Sequence, residues 1–313
     1  MPISEYYPYR SEEARNRCFA HLDAVAARTW PPESREQVVA TSYGRTFVRV
    51  TGPAAGPALV LLHGAGATSL MWAPNIRALS EEFRTFAVDQ IGEFGKSSCS
   101  TPVAGIADLV GWLDELFSGL GLVRGFNLMG VSYGGALAAQ YALKFPGKLD
   151  KVVLLAPANT VLPCGKAFWT RLIFAMISRR RGVPSFMRWI FADMVKRDPG
   201  WVDSVVEDFF LNMESMERRR PVIPPVMTDA AWRSLTVAAL FLVGEHEVIY
   251  SPRKAVARLK RVAPGVITEI VPDAGHDLTV VQAEAVDRRI LTFLRQRESS
   301  AAGAPASVVA EQG

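Results

Sequence analysis

The sequence predicts an α/β chain: a mostly parallel, doubly wound sheet interrupted by a helical insertion. Three observations carry this. Short apolar runs at 58–62, 85–88, 126–129, 151–156 and 237–243 alternate with stretches of helical periodicity. Between 158 and 234 the strand pattern stops, and Phe168, Trp169, Phe174, Phe186, Trp189 and Phe209 recur at helix-like spacing. A pentapeptide, Gly130-Val131-Ser132-Tyr133-Gly134, sits where an apolar run meets a helical stretch.

Taken in order, residues 11–28 read as a helix with Ser11 as N-cap and Glu12 and Glu13 in its first turn. Residues 37–51 read as a strand pair around a Gly-containing turn. The run 58–62 is apolar throughout, as a strand buried on both faces is, and opens into His63-Gly64-Ala65-Gly66. A helix over 71–82, a strand at 85–88 and a helix over 106–120 follow. Strands at 126–129 and 151–156 flank a helix over 135–145. After the insertion come a strand at 237–243, a helix over 255–262, a strand at 267–271 and a helix within 277–297. The division expected is an N-terminal helical extension (1–36), a core (37–157 and 235–297), a helical lid (158–234) and a disordered tail (298–313).

Length and composition set the outer limits. The chain has 313 residues, room for one large α/β domain with an inserted subdomain. It carries 35 basic and 31 acidic residues, a net charge of +4. The runs Arg179-Arg180-Arg181 and Arg218-Arg219-Arg220 read as solvated faces, too dispersed for a nucleic-acid footprint. Cys18, Cys99 and Cys164 are odd in number and widely spaced, which predicts a reduced, cytoplasmic chain without disulfides. Residues 1–18 lack the apolar region of a secretory signal. No apolar run reaches the ~18 residues of a membrane span; 172–177 is apolar but ends at three arginines. The sequence sets no oligomeric state.

The chemistry centres on Ser132. On a strand–turn–helix the serine is lifted above the carboxyl ends of the strands, toward a helix N-terminus. A serine hydroxyl is a poor nucleophile and needs a base, which in turn needs an orienting group. Among four histidines, His276 follows the last strand C-terminal to the serine and is the candidate base. Glu247 in the loop after 237–243 is the first candidate acid, with Glu245 the alternative. The oxyanion needs two donors; these fall to the N–H groups of Ala65 and Tyr133. His63 reads as a structural residue. The stretch 89–97 lacks phosphate-loop spacing, and no metal-ligand pattern occurs, so neither cofactor nor metal is expected.

The stretches H-G-A-G at 63–66, D-x-x-G-x-x-G-K-S at 89–97, G-V-S-Y-G at 130–134, G-E-H-E-V-I-Y at 244–250 and A-G-H at 274–276 together resemble the α/β-hydrolase superfamily from about 37 to 297. With Met71-Trp72-Ala73-Pro74-Asn75-Ile76, the chain most resembles bacterial carboxylesterases of the naproxen-ester-hydrolysing type. That resemblance implies the α/β-hydrolase fold, a glutamate as acid, falling on Glu247, and hydrolysis of a fairly apolar small-molecule ester. Two other readings stand beside it. One is acyl transfer by the same triad, as a lactonase, thioesterase, cyclase or acyltransferase. The other is ligand binding without catalysis. Gln90 and Ile91 depart from the commoner turn and are read as loop shape only.

Overall fold

The computed structural model describes residues 7–217 and 221–296. The expected tail and the Arg218–Arg220 run lie outside the described residues. One sheet contains β1 (Arg35–Thr41), β2 (Gly44–Thr51), β3 (Ala58–Leu62), β4 (Arg84–Val88), β5 (Ser98–Cys99), β6 (Phe126–Val131), β7 (Leu149–Leu155), β8 (Ala238–Gly244) and β9 (Ile267–Val271). Their spatial order is β1-β2-β4-β3-β6-β7-β8-β9, with the short β5 on β2. β1, β2 and β5 pair antiparallel, as does β2 with β4; the rest is parallel. Strands β3, β6, β7 and β8 lie inside the sheet with both faces covered. Their near-continuous apolar sequences follow from that burial.

Twelve α-helices surround the sheet among the described residues. They are α1 (Glu12–Thr29), α2 (Ala73–Ser80), α3 (Ile106–Gly119), α4 (Tyr133–Lys144), α5 (Lys166–Ile177), α6 (Arg179–Ile190), α7 (Ala192–Arg197), α8 (Pro199–Ser215), α9 (Asp229–Arg233), α10 (Pro252–Val262), α11 (Leu278–Val281) and α12 (Ala283–Arg295). α5 to α9 all fall between β7 and β8. The Ser11 hydroxyl accepts the Ala14 N–H and caps α1. One apolar cluster joins α3, α4 and α10 to one face of the sheet and includes the insertion; a second joins α1, α2 and α12 to the other.

Several elements differ from expectation. The helix expected over 71–82 is a 3-10 turn, Ser69–Trp72, followed by α2, with Pro74 in its first turn. The final helix breaks at Gln282 into α11 and α12. The two-residue β5 is too short to leave a period in the sequence. The residues before α1 do more than extend the chain. Tyr9 donates to Gly95 O at 2.6 Å and bridges to Met216, and Arg10 Nε donates to Met216 O at 2.7 Å. This arm therefore ties the end of α8 to the core.

Asn75 of α2 donates to Thr279 O of α11 at 3.0 Å and to Asp287 Oδ1 of α12 at 2.9 Å. Burial pushes the Asp287 carboxyl up to about 7, against the opposing pull of the Asn75 bond. The ordinary value is about 3.9. The folded state therefore holds this proton more tightly than the unfolded chain, and stability falls as pH rises from about 4 through about 7. Asp287→Asn, which keeps an acceptor for Asn75, should raise Tm by a few degrees at about pH 8 and leave it little changed at about pH 4. Thermal melts of the two proteins across that range check this.

Candidate active site

Ser132 stands at φ 53° and ψ −114°, a strained backbone that leads directly from β6 into α4. Its N–H donates to Leu155 O at 2.9 Å, and its carbonyl accepts from Ala136 and Ala158, each at 3.0 Å. The glycines make room. A Cβ on Gly130 would lie 2.2 Å from Gly134 O, and one on Gly134 would lie 2.3 Å from Leu62 O of β3. α4 starts at Tyr133, two residues earlier than expected, so the Tyr133 N–H lies in its first turn.

Strand register aligns the candidate residues on one edge. Val131 pairs with Leu155, Leu155 with Leu242, and Gly244 with Val271, so the loops after β6, β8 and β9 leave the same side. The last two loops touch. A Cβ on Gly244 would fall 2.3 Å from both Ala274 O and Gly275 O, and the His246 N–H donates to Ala274 O at 2.9 Å. Through this contact Glu247 meets His276, with Oε2 2.8 Å from Nδ1. Glu247 Oε1 accepts the Ile249 N–H at 2.8 Å. Both side chains are buried, at 0% and 5% exposure. Glu245 is exposed and not part of this pair. Burial works to lower the His276 pKa, but the charge and hydrogen bond of Glu247 outweigh it and the net shift is upward.

Across the serine runs the loop 63–66. A Cβ on Gly64 would lie 3.6 Å from Ser132 Cβ. The Gly64 N–H meets Met71 Sδ at 3.1 Å, and the Gly66 N–H donates to Glu93 Oε2 at 2.8 Å. Among the described residues the Ala65 N–H between them has no acceptor. Ala65 is exposed, so this donor is open to a ligand. Gly66, at φ +73°, passes so close to α8 that a Cβ would lie 2.8 Å from the Phe209 ring.

His63 is fully buried and fixes the loop base. Its Nδ1 lies 2.8 Å from Gly64 O, and its Nε2 accepts the Gln90 N–H at 3.0 Å. Only the neutral Nδ1–H tautomer satisfies both. The Gln90 amide returns a bond to His63 O at 2.6 Å. Gln90 thus has a role beyond loop shape. The turn it begins wraps the buried Asp89, whose carboxylate accepts the Ser69 and Lys96 N–H groups at 2.8 and 2.7 Å. The support roles of Glu93 and Gln90 were missed in the sequence because each acts on a backbone atom 27 residues away; Met71 was singled out only as part of a resemblance, though it reaches Gly64 from the next turn. The G-x-x-G-K-S spacing was the trace left by Gln90 and Glu93.

The insertion meets this edge at two further points. Met194 N–H donates to Asp277 Oδ2 at 2.8 Å, directly after His276, and Asp193 Oδ2 lies 2.9 Å from His246 Nδ1. Beside Tyr133 lies a cleft of about 310 Å³, walled by Tyr7, Ile91, Glu93, Val103, Leu109 and Val222.

With this geometry in place, the relationships of the chain become informative. Residues 59–289 match the alpha/beta hydrolase family, and the chain belongs to it. Carboxylesterase YbfK of Bacillus subtilis (strain 168) is 34% identical over 85% of this chain and 89% of its own length. The protein named uncharacterized carboxylesterase nap, from the same organism, is 34% identical over 84% and 88%. The crystal structure of naproxen esterase (carboxylesterase NP) from Bacillus subtilis superposes with a TM-score of 0.83 at 31% identity, over 91% of this chain and 99% of that one. The α/β-hydrolase fold and the resemblance read from the sequence are thereby established.

Glu93 carries a direct prediction. Glu93→Ala removes the acceptor that holds Gly66 in the loop beside Ser132, so kcat should fall roughly tenfold to a hundredfold with KM little changed. Glu93→Gln, which retains an acceptor, should recover most of the rate. Steady-state kinetics of the two variants on a soluble ester check this.

Proposed function

We propose that the chain acts through a serine nucleophile, Ser132, with His276 as base, Glu247 as its orienter, and the Ala65 and Tyr133 N–H groups as oxyanion donors. The chain is a carboxylic-ester hydrolase. The observation that carries the site assignment is the buried 2.8 Å contact between His276 Nδ1 and Glu247 Oε2, on the sheet edge that bears the strained serine.

In this reading Ser132 Oγ attacks the acyl carbonyl and His276 Nε2 takes its proton. Glu247 holds the Nδ1–H tautomer and stabilises the imidazolium. The carbonyl oxygen becomes an oxyanion held by Ala65 and Tyr133, each such donor typically contributing ~2.7–4 kcal/mol. His276 then protonates the departing alcohol. Water, deprotonated by the same imidazole, attacks the acyl-enzyme and releases the acid. The cleft beside Tyr133, where Ile91, Val103, Leu109 and Val222 stand among polar groups such as Glu93, offers room for a small-molecule ester. Helices α5 to α9 serve as a lid, attached through Asp277 and His246.

Two outcomes follow. A fluorophosphonate should leave a single adduct on the Ser132 peptide, and both adduct and turnover should vanish in Ser132→Ala and fall at least about a thousandfold in His276→Ala. Wild-type turnover in Ser132→Ala would overturn the assignment. In the pH profile, His276 must be neutral to act, so activity is lost as pH falls through its pKa. Because Glu247 raises that pKa, the acid limb of kcat/KM should lie above about 6.5. Glu247→Gln should move the limb downward and lower kcat.

A further inference from the structure

The tip of the insertion carries a surface that the reaction does not use. Among the described residues eight large apolar side chains are exposed, and four of them, Ile173 (55%), Phe174 (48%), Met176 (57%) and Ile177 (79%), fall within five consecutive positions at the end of α5. The others are scattered, as single surface apolar residues ordinarily are. The inward stripe of α5 is already satisfied by Phe168, Leu172 and Ala175, which pack into the core cluster. The exposed four are therefore not a face waiting for the sheet.

The charge next to this patch has one sign. α6 begins one residue after α5 ends, and Arg179, Arg180 and Arg181 form its first turn. From Lys166 to Ile190 the hairpin holds six basic residues and no acidic one. Arg188 pairs with Asp203, and Arg171 lies over the Trp189 ring. No carboxylate among the described residues pairs with Arg179, Arg180 or Arg181. Three cations at a helix N-terminus oppose the helix dipole, so they do not serve α6 itself. The hairpin is also closely seated: a Cβ on Gly182 would lie 2.5 Å from Phe174 O, which sets the arginine turn against the apolar patch.

We propose that this tip docks on an anionic lipid bilayer, with Ile173, Phe174, Met176 and Ile177 entering the headgroup boundary and Arg179, Arg180 and Arg181 meeting lipid phosphates. An apolar patch that partitions shallowly beside unpaired cations suits a negatively charged lipid surface, since buried apolar area and electrostatic attraction add. No helix among the described residues is long and apolar enough to cross a membrane, so the contact is peripheral. Together with the proposed ester hydrolysis, the docking would bring the insertion to esters dissolved in or bordering the bilayer.

The test is sedimentation of the full chain with vesicles of phosphatidylcholine alone or with about a third phosphatidylglycerol. The chain should bind the anionic vesicles and not the neutral ones, and about 0.5 M salt should release it. Arg180→Glu with Arg181→Glu, and separately Ile173→Ser with Ile177→Ser, should each weaken binding roughly tenfold or more, while hydrolysis of a water-soluble ester stays at the wild-type rate. Ser132→Ala should bind vesicles as the wild type does, so failure of the docking is distinguishable from failure of the esterase mechanism. Equal affinity for neutral and anionic vesicles, or none for either, would overturn the proposal. So would a dimer in light scattering that dissociates on Ile173→Ser with Ile177→Ser while vesicle binding is absent, because the patch would then serve a second copy of the chain.

Discussion

The backbone of Ser132 is the constraint on which the rest depends. A non-glycine residue at φ 53° and ψ −114° costs about 1–3 kcal/mol and persists only where its surroundings overdetermine it. Three hydrogen bonds, to Leu155, Ala136 and Ala158, hold its peptide groups. Gly130 and Gly134 let strand, turn and helix approach to distances that exclude a Cβ. The order of the central strands follows from the same turn, because β3 and β7 must flank β6 to supply those contacts.

Support for the turn is layered outward by backbone contacts. The loop 63–66 lies over the serine, and its own peptide groups are held by Met71, Glu93, Gln90 and the His63 ring. These belong to three different segments, yet the arrangement leaves one N–H, that of Ala65, open among the described residues. As a proposed oxyanion donor it is aimed before substrate arrives and needs no reorganisation when charge develops. The proposed mechanism has the same economy at His276, where Glu247 occupies Nδ1 and leaves Nε2 for the proposed proton transfer.

The insertion is coupled to the candidate site through polar groups next to His276 and Glu247. Asp277 follows His276 and holds Met194; His246 precedes Glu247 and meets Asp193. The Asp193 carboxyl is held below its ordinary range: burial opposes this, but Lys196 and His246 outweigh it. Movement of α7 would thus be felt at both loops that present His276 and Glu247, the proposed base and its orienter. From the other side, the N-terminal arm grips the end of α8 through Tyr9 and Arg10, so the insertion is fastened at two ends.

Sequence by itself determined the alternation of strands and helices, the serine turn and its glycines, and the histidine after the last strand. These are legible because each is a local pattern: an apolar run, a steric requirement for glycine, a residue at a strand end. It put Glu247 first from its place after the strand, a choice the family resemblance supported, but kept Glu245 as an alternative, since the two lie in the same loop. Burial separates them: Glu247 is enclosed against His276 and Glu245 faces solvent. Only the tertiary structure revealed Glu93 and Gln90 as supports of the loop beside Ser132, because the side chain of each bonds a backbone atom 27 residues away. Only it could break the last helix at Gln282 or add β5, where packing of a few residues overrides periodicity. Long-range contacts of single side chains leave no period in a sequence, and that is where its reading ended.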